Sequence, residues 1–147
     1  MPVLVNGKTI TDEEIYQEMQ YHPAASAEEA MEKAAKALAI RALLLQKATA
    51  LQIQAEAEDD QAPEEALIDA LLTSVITLPD PDDETIERFY HQNAHHFKKE
   101  EGVTLPLTEA KDAIKDYILE TAWQNSLREY IRHLVLEAKI EGVAILD

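Results

Sequence analysis

Apolar residues recur at spacings of three and four over most of the chain, which is the pattern of amphipathic helices, and extended runs fall only near its two ends. The clearest stretch carries Met31, Ala34, Ala35, Leu38, Ala42 and Leu45 on one face. Between Ala34 and Leu45 it is apolar almost all round, so it predicts a central buried helix that starts at Ser26 and ends near Leu51 or Ile53. Thr11-Asp12-Glu13-Glu14 and Ser26-Ala27-Glu28-Glu29 both have the capping-box spacing, a hydroxyl followed three residues later by a carboxylate. The first predicts a short helix to about Tyr21, stopped by Pro23. Pro63 suits the first turn of a third helix, whose apolar face is Leu67, Ile68, Leu71, Leu72 and Val75. Asp82 or Asp83 caps a fourth, through Ile86, Phe89 and Tyr90 to about His95. Thr108 is expected to cap a long last helix along Ile114, Tyr117, Ile118, Leu127, Ile131, Leu134 and Ala138, ended by Glu141-Gly142.

The two ends read differently. Val3, Leu4, Val5 and Ile10 flank Asn6-Gly7, a dipeptide that accepts positive φ and turns a chain back on itself. Val143-Ala144-Ile145-Leu146 reads as a terminal strand. Because a lone strand leaves its edge open, the two ends are expected to pair. The fold class that follows is mainly α: about five helices with a small β-sheet joining the N- and C-terminal strands, in a single domain over residues 1–147.

Charge narrows the list of partners. The 147 residues carry 29 acidic and 13 basic side chains, a net charge of −16, and the middle of the chain is the most acidic, with 14 acids against 3 bases over residues 54–101. No Lys/Arg cluster offers the basic stripe that displaces counterions from nucleic acid, and an anionic membrane surface is disfavoured for the same reason. The 46% of hydrophobic residues distinguishes the chain from a disordered acidic tail. Its start lacks an apolar run of signal-peptide length and no stretch is long enough to span a bilayer, so the expected location is the cytoplasm.

Candidate chemistry is sparse. The absence of cysteine excludes a thiol nucleophile, a thiolate metal site and disulfides. On a continuous helix His91 and His95 lie one turn apart, the spacing of a two-histidine metal pair, with Glu87 a turn earlier. The HExxH glutamate and a clear fourth ligand are missing, so an exposed helix end is the preferred reading and neither metal nor cofactor is expected. The acid pairs Asp59-Asp60, Glu64-Glu65, Asp82-Asp83 and Glu100-Glu101 fall at caps and connectors, where carboxylates are solvated and do not converge. Trp123 is read as a core residue of the last helix.

Three segments, in order, resemble the helical chaperone module of parvulin-type peptidylprolyl isomerases, the SurA-like module of the periplasmic survival chaperone, the Gram-positive secretion foldase and the nitrogenase-maturation isomerase. They are Val5-Asn6-Gly7 with the Thr11 helix; Pro81-Asp82-Asp83-Glu84-Thr85-Ile86-Glu87-Arg88-Phe89-Tyr90 with Phe97; and Leu105-Pro106-Leu107 with Ile114, Tyr117-Ile118-Leu119, Trp123, Tyr130, Ala138 and Ile140-Glu141-Gly142-Val143. In that family a parvulin domain is inserted between the fourth helix and the closing one. Here only residues 98–104 separate the part at 1–97 from the part at 105–147, and the family's catalytic residues have no counterpart. The resemblance implies an ATP-independent chaperone module without isomerase activity, binding non-native polypeptide. The candidate contact residues are Leu67, Leu71, Phe89, Tyr90 and Tyr130, set among acids that steer basic clients. The alternative is a homodimerisation module, open to exchange of elements between copies, or an engineered scaffold, in either case with no client.

Overall fold

The computed structural model of the protein describes residues 2–98 and 102–145. Among the described residues it is mainly helical, with about 65% of them in helices and a small antiparallel sheet of three strands. In chain order the elements are β1 (Val3–Val5), β2 (Lys8–Ile10), α1 (Asp12–Glu18), α2 (Ala27–Ala50), α3 (Pro63–Val75), α4 (Asp83–Gln92), α5 (Leu107–Glu137) and β3 (Ile140–Glu141). Short 3-10 turns at Met19–Tyr21 and Ala94–Phe97 extend α1 and follow α4. The chain divides into two compact units, residues 1–75 with 128–147 and residues 76–127, so α5 contributes to both.

In the first unit, Asn6 (φ 51°) and Gly7 (φ 84°) form the hairpin turn between β1 and β2. Two consecutive positive φ values give a turn whose twist matches that of the flanking strands, and Asn-Gly reaches them with the least strain. Strand alternation puts Val3, Val5 and Ile10 in the core. β1 lies in the middle of the sheet, pairing with β2 on one side and β3 on the other through Leu4↔Glu141 and Val5↔Ile140. The two ends of the chain therefore meet, as the sequence implies, but the pairing strand is Ile140–Glu141 and not the run from Val143 to Leu146. α5 stops at Glu137, and Asn6 draws the next residues into the ladder: its amide donates to the Lys139 carbonyl, and its side-chain oxygen accepts from the Lys139 amide, both at 2.8 Å. Gly142 (φ 85°) then turns the chain so closely past Pro2 that a Cβ would collide with the Pro2 carbonyl. Residue 146 lies outside the described residues.

α1 has the complete capping box: the Glu14 amide donates to Thr11 Oγ1 (3.1 Å), and the Glu14 carboxylate accepts from the Thr11 amide (3.3 Å). Ser26 caps α2 by accepting from the Glu29 amide (3.1 Å), while the Glu29 carboxylate turns to Lys33 (3.6 Å). The buried face of α2 is built mostly of alanine, from Ala34, Ala35, Ala39, Ala42 and Ala48 together with Leu43 and Leu44. Small side chains let α1, α3 and β1 approach this helix closely. α3 begins at Pro63 and buries Ala66, Leu71 and Leu72.

In the second unit, Asp82 caps α4, and Ile86, Ala110 and Ile114 form the core, with Phe89, Tyr90, Phe97 and Ile118 packed around them. A bridge between Lys98 and Thr104, with a Leu105 amide to Phe97 carbonyl bond of 2.7 Å, closes the connection from α4 to α5. α5 starts one residue before Thr108, at Leu107, and its first amides at Glu109 and Ala110 donate to the Pro106 carbonyl (both 3.0 Å). Thr108 is thus inside the helix and cannot cap it. Among the described residues, no helix is long and apolar enough to cross a membrane.

Leu71 is fully buried in the first unit. Leu71→Ala is expected to destabilise that unit by about 3 kcal/mol, the sum of lost transfer energy and a residual cavity. Urea unfolding followed by circular dichroism measures it, and a loss below about 1 kcal/mol would show that the surrounding helices collapse into the space.

Candidate polypeptide-binding groove

The first unit carries a groove of about 770 Å³ between α1, the N-terminal half of α2 and the chain just after β3. Its apolar lining comes from Val3, Ile15, Met31, Ala35, Val143 and Ala144. Val3, Ile15 and Ala35 are core residues whose outer surfaces form the floor, Val143 is half-buried, and Met31 (37% exposed) and Ala144 stand open to solvent. Asp12, Glu28, Glu29 and Glu32 line the same groove with Lys33 and Lys36. Glu29 faces Lys33, whereas Asp12, Glu28 and Glu32 form no ion pair among the described residues. Asp12 and Glu28 sit in the first turns of α1 and α2, where the positive ends of the helices favour the ionised carboxylate. The groove is an apolar trough with a net negative wall.

Each part of this site has a local cause. Ile15 points inward because the Thr11 capping box fixes where α1 begins. Val143 and Ala144 line the groove because Gly142 turns the chain out of the ladder immediately after β3. Met31 shares the apolar face of α2 with Ala34 and Ala35 but lies one turn nearer the helix start, at the groove rather than in the core.

The sequence-derived contact residues lie elsewhere and in both units. Leu71 is completely buried, which corrects its assignment to a binding surface: it faces the core from α3. Leu67, on the same helix, is half-buried. Phe89 is half-buried and its ring lies 5.4 Å from that of Tyr117, which is 58% exposed. The Tyr90 hydroxyl donates to the Leu105 carbonyl and its ring packs on Phe97 (5.1 Å), so this side chain holds the α4–α5 connection closed. Tyr130 is half-buried, and its hydroxyl oxygen is buried with no hydrogen-bond partner among the described residues; burial raises its pKa above the ordinary phenol value. Trp123 is half-buried, between the core and the exposed reading. Met31, Val143 and Ala144 were legible only as helix face and strand, since nothing in their spacing marks a groove.

The histidine pair does not form. α4 ends at Gln92 and a 3-10 turn follows, so His91 and His95 do not share one helical face. His91 lies edge-on to Tyr90 and His95 against His96, all three exposed. Among the described residues, no group of three or more metal-ligating side chains stands close enough to hold an ion. Of the acid pairs, Asp59-Asp60 lies in the exposed connector before α3, beside Glu58, Gln61 and Glu65, without an apolar floor. Asp82 is a cap and Asp83 binds Lys111 at 2.8 Å, a contact that raises the lysine pKa. Glu100 and Glu101 lie outside the described residues.

No protein-family model, curated protein or solved structure matches the chain.

Asp82 shows how its unit responds to acid. Hydrogen bonds from the Thr85 hydroxyl and amide, helped by Arg88, hold its carboxyl below the usual range. A depressed folded-state pKa means that the cap stabilises α4 above the unfolded pKa and that this contribution is lost as pH falls through the folded value. Asp82→Ala is therefore expected to lower the melting temperature at neutral pH, with the gap to the parent protein closing in acid. Thermal melts across pH measure it; a gap that stays constant would contradict this account of the cap.

Proposed function

We propose that this chain is a non-catalytic polypeptide-binding module that holds non-native clients without ATP, in the manner of the chaperone module it resembles in sequence. One observation carries the reading: the groove of the first unit, where Met31, Val143 and Ala144 reach solvent between charged walls above the buried Val3, Ile15 and Ala35. Folded chains bury contiguous apolar surface unless something binds to it. A trough of this kind retains an extended apolar segment weakly and reversibly, because transfer of client side chains from water drives binding and no chemistry follows. The net charge of −16 keeps the loaded module in solution and opposes its own co-aggregation.

The module is expected to suppress aggregation of a chemically denatured client, diluted into buffer, at about one module per client chain, while a protease-coupled proline-peptide assay stays at the uncatalysed rate. Light scattering that rises as fast with the module as without it would end the proposal.

A further inference from the structure

We infer that the groove selects extended segments in which apolar residues alternate with lysine or arginine, so that its natural occupants are cationic amphipathic stretches of unfolded protein. The inference rests on the polypeptide-binding reading and adds the chemistry of the occupant. Met31, Val143 and Ala144, which reach solvent over the buried Val3, Ile15 and Ala35, offer contact to apolar side chains. Alternate residues of an extended segment point to opposite sides, so those between the apolar ones face the walls and solvent. On those walls four carboxylates stand against two lysines, and Lys33 is already engaged by Glu29. Asp12, Glu28 and Glu32, all exposed, thus stand against Lys36 as the one groove lysine with no ion pair among the described residues, and they meet cations of the occupant under salt screening. An acidic occupant would meet like charge along the same wall, so the wall discriminates more by repelling the wrong segment than by holding the right one.

The test uses the full chain and three labelled synthetic peptides of equal length: alternating Leu and Lys, alternating Leu and Glu, and alternating Ser and Lys. In fluorescence-anisotropy titrations the Leu-Lys peptide is expected to bind saturably, at least about tenfold more tightly than either of the others, and to weaken as salt rises. The double variant Glu28→Gln, Glu32→Gln, whose side chains are exposed and whose fold is checked by circular dichroism, should narrow the gap between the Leu-Lys and Leu-Glu peptides. Ala144→Trp, at an exposed position of the lining, should obstruct the groove beside β3 and abolish Leu-Lys binding there. Equal binding of the Leu-Lys and Leu-Glu peptides, both lost in Ala144→Trp, would overturn the charge selection and leave the groove as a polypeptide site. Binding of the Ser-Lys peptide as tight as that of Leu-Lys, or Leu-Lys binding unchanged in Ala144→Trp, would overturn the inference by showing that the floor is idle or the peptide sits elsewhere. If no peptide binds, the inference and the polypeptide-binding reading fall together.

Discussion

The hydrogen bonds of one turn residue, Asn6, hold the first unit in register. Its backbone amide and side-chain oxygen both engage Lys139, 133 residues away, while its side-chain nitrogen donates to Gln46 of α2 (2.9 Å). Gln46 returns a bond to the Val5 carbonyl (3.1 Å). A left-handed turn, the central helix and the returning C-terminal segment are thereby tied at one point. Only Asn, Asp or Gly takes such a φ readily, and of these only Asn carries both a donor and an acceptor on its side chain. The groove depends on this knot, because one of its walls, Gly142 to Ala144, follows β3, which begins directly after Lys139.

Beneath that knot the packing relies on small side chains. Five alanines on the buried face of α2 allow close approach of its neighbours, and the polar face of the same helix is left to charge. Near the start of α2 the two faces meet at the groove: Ala35 lies on the floor, Met31 at the edge, and Glu28, Glu29 and Glu32 on the wall. Two carboxylates that favour the start of α2 through its dipole, Glu28 and Glu29, therefore also line the groove. Under the proposed function, stability and recognition draw on the same residues here.

Local chemistry was readable in advance and tertiary placement was not. Thr11, Ser26 and Asp82 each mark a helix start because a cap satisfies amides within its own turn, Pro63 because its fixed φ and missing N–H suit a first helical position, and Asn6-Gly7 marks a hairpin because its φ values are local. The start of α5 escaped because the Pro106 carbonyl, which carries no side-chain signal, accepts its first bonds. The position of β3 escaped because a contact with Asn6 at the other end of the chain sets it. The break between His91 and His95 depends on where α4 stops, and neither residue encodes that. Leu71 shared an amphipathic face with Leu67, and spacing alone does not separate the residue that is fully buried from the one at the margin. Met31 failed in the opposite sense, carrying core spacing at a position the fold leaves open.

The proposed function requires polypeptide to enter the trough beside α1, α2 and the chain after β3. The most direct measurement is amide chemical-shift mapping of the isotopically labelled protein as an extended apolar-cationic peptide is added. The account predicts shifts concentrated at Ile15, Glu28 to Lys36 and Gly142 to Ala144, with residues 83–92 of the second unit unmoved. Shifts centred on Phe89, Tyr90 and Tyr117, or spread evenly over both units, would contradict it.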